Sequence, residues 1–137
     1  MGQLGQAGNL QSRSPSRSKF EKIKIIMLQD LVIFQKTYDL ILWLYPIVNK
    51  FPKSQRFVLG QQIENRAIQV LKDIIVANQE INKATALKKT SVDLDELRIL
   101  IRLSKDLRFL NLKQYEEAVL RINELGRLLN GWIKKFS

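Results

Sequence analysis

The sequence predicts an all-α fold, an antiparallel up-and-down four-helix bundle, from three observations. Apolar residues recur at steps of three and four through four successive segments. Short links carrying turn or capping residues join those segments, and no stretch shows the polar–apolar alternation of a strand. Short links between amphipathic helices favour antiparallel neighbours packed at about 20°.

Residues 1–28 are expected to form a flexible basic N-terminal extension and 29–137 the bundle domain. The first 19 residues are rich in Gly, Gln, Ser and Arg, without a hydrophobic period. Met27, just before the periodic region, stands as an alternative start. In the first helix Leu31, Phe34, Tyr38, Ile41, Tyr45 and Val48 form one apolar stripe, while Ile33, Leu40, Leu44, Ile47 and Phe51 cover further faces. A helix so apolar around its girth is expected to meet a second subunit as well as its own core. Pro46 is expected to kink it and free the Leu42 carbonyl.

Phe51-Pro52-Lys53-Ser54 ends that helix, and Ser54 is the expected N-cap of the second. The second core stripe is Ile63, Ala67, Val70, Ile74, Ala77 and Ile81, followed by a connection over 82–91. Asp93 and Glu96 have capping-box spacing for the third helix, with Ser91 a rival cap. Leu97, Leu100, Leu103, Leu107 and Leu110 are its expected core. Asn111 caps the fourth helix, whose stripe is Tyr115, Ala118, Ile122, Leu125, Leu129, Trp132 and Phe136.

The 137 residues include 23 Lys and Arg against 13 Asp and Glu, a formal net charge of +10. That balance favours polyanionic partners through counterion release. The chain contains no Cys and no His. Disulfides, thiolate nucleophiles, the commonest metal ligand and most catalytic triads are therefore excluded. The first residues lack the apolar core of a secretory signal. The longest apolar run, 40–48, falls short of the roughly 20 residues of a membrane helix. A soluble, cytoplasmic protein without cofactor, metal or small-molecule substrate is expected.

The sharpest candidate for binding is a basic stripe on the third helix. At 100° per residue Arg98, Arg102 and Lys105 fall within about 60° of one another, and Arg108 lies about 60° further round. Like charges so aligned repel, and a phosphate backbone would offset the repulsion. Lys50, Lys53 and Arg56, with Arg66 two turns later, form a second group; Lys50 complements the dipole of the helix it ends, whereas Arg56 opposes the dipole of the helix it opens. The alternative is a solvated face neutralised by neighbouring acids. The acidic cluster Asp93, Asp95 and Glu96 is explained by capping, while Glu64 and Glu124 are candidate partners for arginines, Glu124 for Arg127 among them. Gly60, Gly126 and Gly131 are expected where another helix approaches closely. Trp43 and Trp132 sit at core or interface positions.

Three blocks, FPKSQRFVLG (51–60), ELRILIRLSKDL (96–107) and ELGRLLNGWIKK (124–135), resemble the accessory variability determinant (Avd) proteins of diversity-generating retroelements. Those proteins sit within a wider four-helix-bundle family that includes proteins encoded in intervening sequences of 23S ribosomal RNA genes. The resemblance covers residues 29–136; the N-terminal extension has no counterpart, and Asn130 stands where a small residue is usual. It implies a homopentameric barrel that associates with a reverse transcriptase and its template RNA or DNA, without catalysis, in support of mutagenic retrohoming. It also implies that Arg98 and Arg102 are contact residues; Lys105 and Arg108 extend that surface by geometry alone. The rivals are an intervening-sequence-type protein with another ribosomal or nucleic-acid role, a small helical enzyme using Arg66 with Glu64, and a pure scaffold.

Overall fold

The computed structural model describes residues 15–136, among which every regular element is helical. Expectations placed on residues 1–14 lie outside them. The chain divides into two compact units, one ending at Leu31 and one beginning at Val32. The elements are α1 (Pro15–Val48), the single turn α2 (Lys53–Arg56), α3 (Leu59–Gln79), α4 (Lys83–Asp106) and α5 (Leu112–Phe136).

α1 begins well before residue 29, so residues 15–28 are helical where a flexible extension was expected. Pro15 occupies the first helical position, where a missing N–H costs nothing. No Gly or Pro then intervenes until Pro46, and each residue added to an existing helix gains a hydrogen bond. Beyond Pro46 the helix continues for only two residues.

Contacts fix the topology of the second unit. Arg98 reaches Asn123 and Lys105 covers Tyr115, so α4 and α5 run antiparallel. Arg66 meets Asp93 and Lys89 meets Asp73, which makes α3 antiparallel to α4. Lys36 pairs with Glu124 while Arg121 lies over Trp43, which sets α5 beside α1. A Cβ on Gly60 would stand 2.8 Å from Val48 Cγ1, so only glycine lets α3 start this close to the end of α1. The arrangement is that of a four-helix bundle.

The core follows the expected stripes on α3 and α5: Ile63, Ala67, Val70, Ile74 and Ala77 are buried on one, Ala118, Ile122, Leu125, Leu129 and Trp132 on the other, with Tyr115 and Phe136 half-buried at its ends. Ile81 falls in the link after α3 and is fully exposed. On α1 the structure buries Ile33, Leu40, Leu44 and Val48 and leaves Leu31, Phe34, Tyr38 and Leu42 in the open. Two apolar stripes on one helix carry the same period, and periodicity cannot say which one faces inward. On α4 the core is Leu87, Leu94, Leu97 and Ile101, while Leu103 and Leu107 are exposed. Buried hydroxyls of Thr37, Thr90 and Ser104 donate to the carbonyls of Ile33, Ala86 and Leu100 one turn back, so no partner helix is needed to satisfy them.

The stretch Leu31–Val48 is long and apolar enough to cross a membrane by length and composition, although its longest unbroken apolar run is short. A bundle's core helix passes the same test, and here Ile33, Leu40, Leu44 and Val48 pack against the rest of the core.

Asn111 and Gln114 cap α5 reciprocally: Gln114 N donates to Asn111 Oδ1 at 2.7 Å, and Asn111 N to Gln114 Oε1 at 3.0 Å. The other expected caps differ. Pro52 starts α2, so Ser54 sits inside that turn and caps nothing. α4 starts at Lys83 with Asn82 as its cap, so residues 83–91 are helix instead of connection and Asp93 lies a full three turns inside.

Candidate nucleic-acid interface

Because neighbouring helices are antiparallel, the α1–α3 and α4–α5 connections lie at one end of the bundle. The rings of Phe51 and Phe109, 5.6 Å apart, tie the two connections together. That end gathers Lys50, Lys53 and Arg56 from the first connection with Lys105, Arg108 and Lys113 from the second; Asp106 is the acid among them. Lys50, Lys53, Arg108 and Lys113 are exposed, and with Arg56 they make no ion pair among the described residues. The buried Nε of Arg56 has no hydrogen-bond partner there.

The basic stripe of α4 is thereby divided. Arg98 turns toward α5, pairing with Asp95 and reaching Asn123 Oδ1 at 3.4 Å. Gly126 lies beside its guanidinium, and a Cβ there would meet Arg98 Nη2 at 3.4 Å, about ordinary van der Waals contact. Arg102 is the open member, 69% exposed with Asp106 at 3.9 Å. Lys105 lies 3.3 Å from Asp106 and covers the Tyr115 ring at 4.8 Å.

Arg108 leaves the helical geometry altogether, since α4 ends at Asp106. Phe109 N bonds Ser104 O at 2.8 Å and Arg108 N bonds Lys105 O at 2.9 Å, the paired bonds of a Schellman cap. Arg108 is therefore the left-handed residue of that cap, with φ of 68° where glycine is usual. A cation is held in a strained position at the end of the bundle where the other free cations collect.

Arg66 belongs elsewhere. Its guanidinium meets Asp93 Oδ1 and Glu96 Oε1, both at 3.1 Å. Asp93 also accepts from Lys89 at 2.8 Å, and Lys89 reaches across to Asp73 at 3.0 Å. Asp73 and Asp93 are each 6% exposed, so this network is an internal tie between α3 and α4. Burial, with the neighbouring Asp93, pushes the Asp73 carboxyl above the ordinary aspartate range. Burial pushes Asp93 the same way, but its bonds to Asp73 and Lys89 and the charges of Lys89 and Arg66 outweigh it and hold Asp93 below that range. Lys89 is raised by its bonds to both carboxylates.

Among the described residues Glu64 has no arginine partner; it is raised by burial, and Glu124 pairs with Lys36 at 3.2 Å, not with Arg127. Trp132 is fully buried, and Trp43 is half-buried beneath Arg121. Gly131 faces open space, and nothing among the described residues accounts for it. No cluster of His, Cys, Asp or Glu among the described residues has the makings of a metal site.

Sequence reasoning missed Phe57. The helix expected from Ser54 onward would have carried its ring through a regular surface. Instead the backbone breaks at Phe57–Val58 between α2 and α3, and the ring stands 73% exposed at the basic end. Phe51-Pro52 upstream and the early Gly60 downstream were the available signals of a short, interrupted turn.

A family model described as bAvd-like matches residues 31–136, well over half of the chain. The chain belongs to that family. No curated protein matches it. The bAvd-like match begins next to the boundary between the two units and covers every cation of the basic end. It agrees with the resemblance read from the three sequence blocks and points to an accessory protein of the Avd type.

Proposed function

We propose that this bAvd-like protein is a non-catalytic accessory factor of a diversity-generating retroelement, working in the cytoplasm as a homo-oligomer, a pentamer by family resemblance. It binds the reverse transcriptase and template RNA or DNA through its basic surface and supports mutagenic retrohoming. The observation that carries the reading is the end of the bundle where Lys50, Lys53, Arg56, Arg108 and Lys113 lack ion-pair partners among the described residues. Five uncompensated cations in one place repel one another, and phosphates supply the missing counter-charge. The apolar stripe of Phe34, Tyr38 and Leu42 on α1, exposed in a single chain, supports self-association.

Nothing in the arrangement reads base edges, so binding through phosphates is expected to be weakly sequence-dependent. The test is co-purification of the protein with the reverse transcriptase, with and without nuclease, alongside a salt titration of RNA binding. Recovery of both partners, with RNA affinity falling steeply as salt rises, is expected. Failure to retain either one at about 50 mM salt contradicts the proposal.

A further inference from the structure

We infer that the basic end of the bundle binds single-stranded nucleic acid, with an unpaired base stacking on the ring of Phe57, a step that rests on the nucleic-acid reading proposed above. Phe57 is the C-cap of α2, with φ −96° and ψ 5°. Its neighbours are fixed on both sides: Arg56 N donates to Pro52 O at 3.0 Å, Val58 N to Gln55 O at 3.1 Å, and Gln62 N to Val58 O at 3.2 Å. The ring is thus displayed from a hydrogen-bonded turn, yet 73% of the residue is open to solvent. Tethered between Arg56 and the start of α3, it stands at the same end as Lys50, Lys53, Arg108 and Lys113.

An exposed aromatic ring on a surface that also carries several cations is the pattern by which proteins hold single strands: the cations follow the phosphates and the ring takes a base. A duplex offers this surface much less. Its bases are already stacked, so a ring reaches a π-face only after base pairs are unstacked. Nor does the end of the bundle present a helix flank or β-ribbon to a major groove, since it is built from connections and helix termini. A protein partner is the competing occupant of an exposed Phe beside Arg. The surroundings favour nucleic acid, because protein interfaces are depleted in lysine and three of the neighbouring cations are Lys50, Lys53 and Lys113.

The test is fluorescence anisotropy of the full chain with a labelled oligo(dT) of about 15 nucleotides and with the same strand annealed to oligo(dA). The wild type is expected to bind the single strand at least tenfold more tightly than the duplex. Phe57→Ala is expected to weaken single-strand binding by on the order of tenfold. It removes no charge, so the slope of log affinity against log salt stays where it was. Phe57→Trp is expected to restore the affinity, and thermal melts of all three proteins to coincide, because the ring packs against little. Equal affinity for strand and duplex, with Phe57→Ala silent and Lys53→Ala weakening both, overturns the stacking site and leaves the nucleic-acid reading intact. Binding of neither form at about 50 mM salt overturns both. Loss of reverse-transcriptase co-purification in Phe57→Ala with single-strand affinity unchanged assigns the ring to a protein contact and overturns the inference.

Discussion

Arg66 on α3 holds Asp93 on α4 at 3.1 Å, joining two residues 27 positions apart around a carboxylate that is almost wholly buried. This pairing removes Arg66 from the free basic surface and makes it a strut between helices. Arg66→Ala is expected to destabilise the fold by about 2 kcal/mol, discounted because the guanidinium is one-third exposed and Lys89 still reaches Asp93. Urea unfolding reports that loss, and RNA affinity at fixed salt is expected to change far less than when Arg56 is replaced.

The two buried aspartates respond to pH with opposite signs. Asp73 is raised, so the stability it contributes is present below the ordinary aspartate range and lost as pH rises through its raised value. Asp93 is lowered, so its contribution is present above that range and lost as pH falls through its depressed value. Between about pH 2 and 7, Asp93→Asn is therefore expected to lose ground to the wild type as pH rises through the lower end, below about 4, and Asp73→Asn to gain on it from about 4 upward. Urea midpoints measured across that range decide it; parallel curves for the two variants would refute the assignment.

Arg108 links strain to charge. Replacing it with glycine relieves the left-handed backbone and is expected to stabilise the fold by about 1 kcal/mol. The same change removes one cation from the basic end and is expected to weaken RNA binding with a shallower salt dependence. Opposite movements of melting temperature and affinity are the signature; a variant that melts lower, or binds as before, contradicts it.

Two glycines separate close approach from mere helix position. Gly60→Ala forces a Cβ to within 2.8 Å of Val48 Cγ1 and is expected to cost about 1–3 kcal/mol. Gly131→Ala meets nothing and is expected to add roughly 0.5–1 kcal/mol of helix stability. Thermal unfolding of the two variants measures both.

Legibility in the sequence followed the range of the interaction. The Asn111–Gln114 cap and the stripes of α3 and α5 depend on spacings of three and four, so they could be read directly. The start of α4 could not, because Asn82, Ser91 and Asp93 are all cap-type residues and local spacing does not choose Asn82 among them. The actual role of Asp93 depends on Arg66 and on Asp73, one helix away. Arg98, Arg102, Lys105 and Arg108 were visible as a stripe, but a helical wheel assumes the helix continues. The Schellman cap at Leu107–Phe109 moves Arg108 off the stripe and sets it with Lys53 and Arg56, and the exposure of Phe57 depends on a break that spacing does not show.

The most direct measurement compares the salt dependence of single-stranded RNA binding for the wild type and for Lys53→Ala/Arg56→Ala/Arg108→Ala. If the basic end carries the phosphates, the slope of log affinity against log salt becomes shallower by about two per contacting protomer and affinity drops. A slope unchanged in a variant that remains folded, by far-UV circular dichroism, would contradict nucleic-acid binding at this end of the bundle.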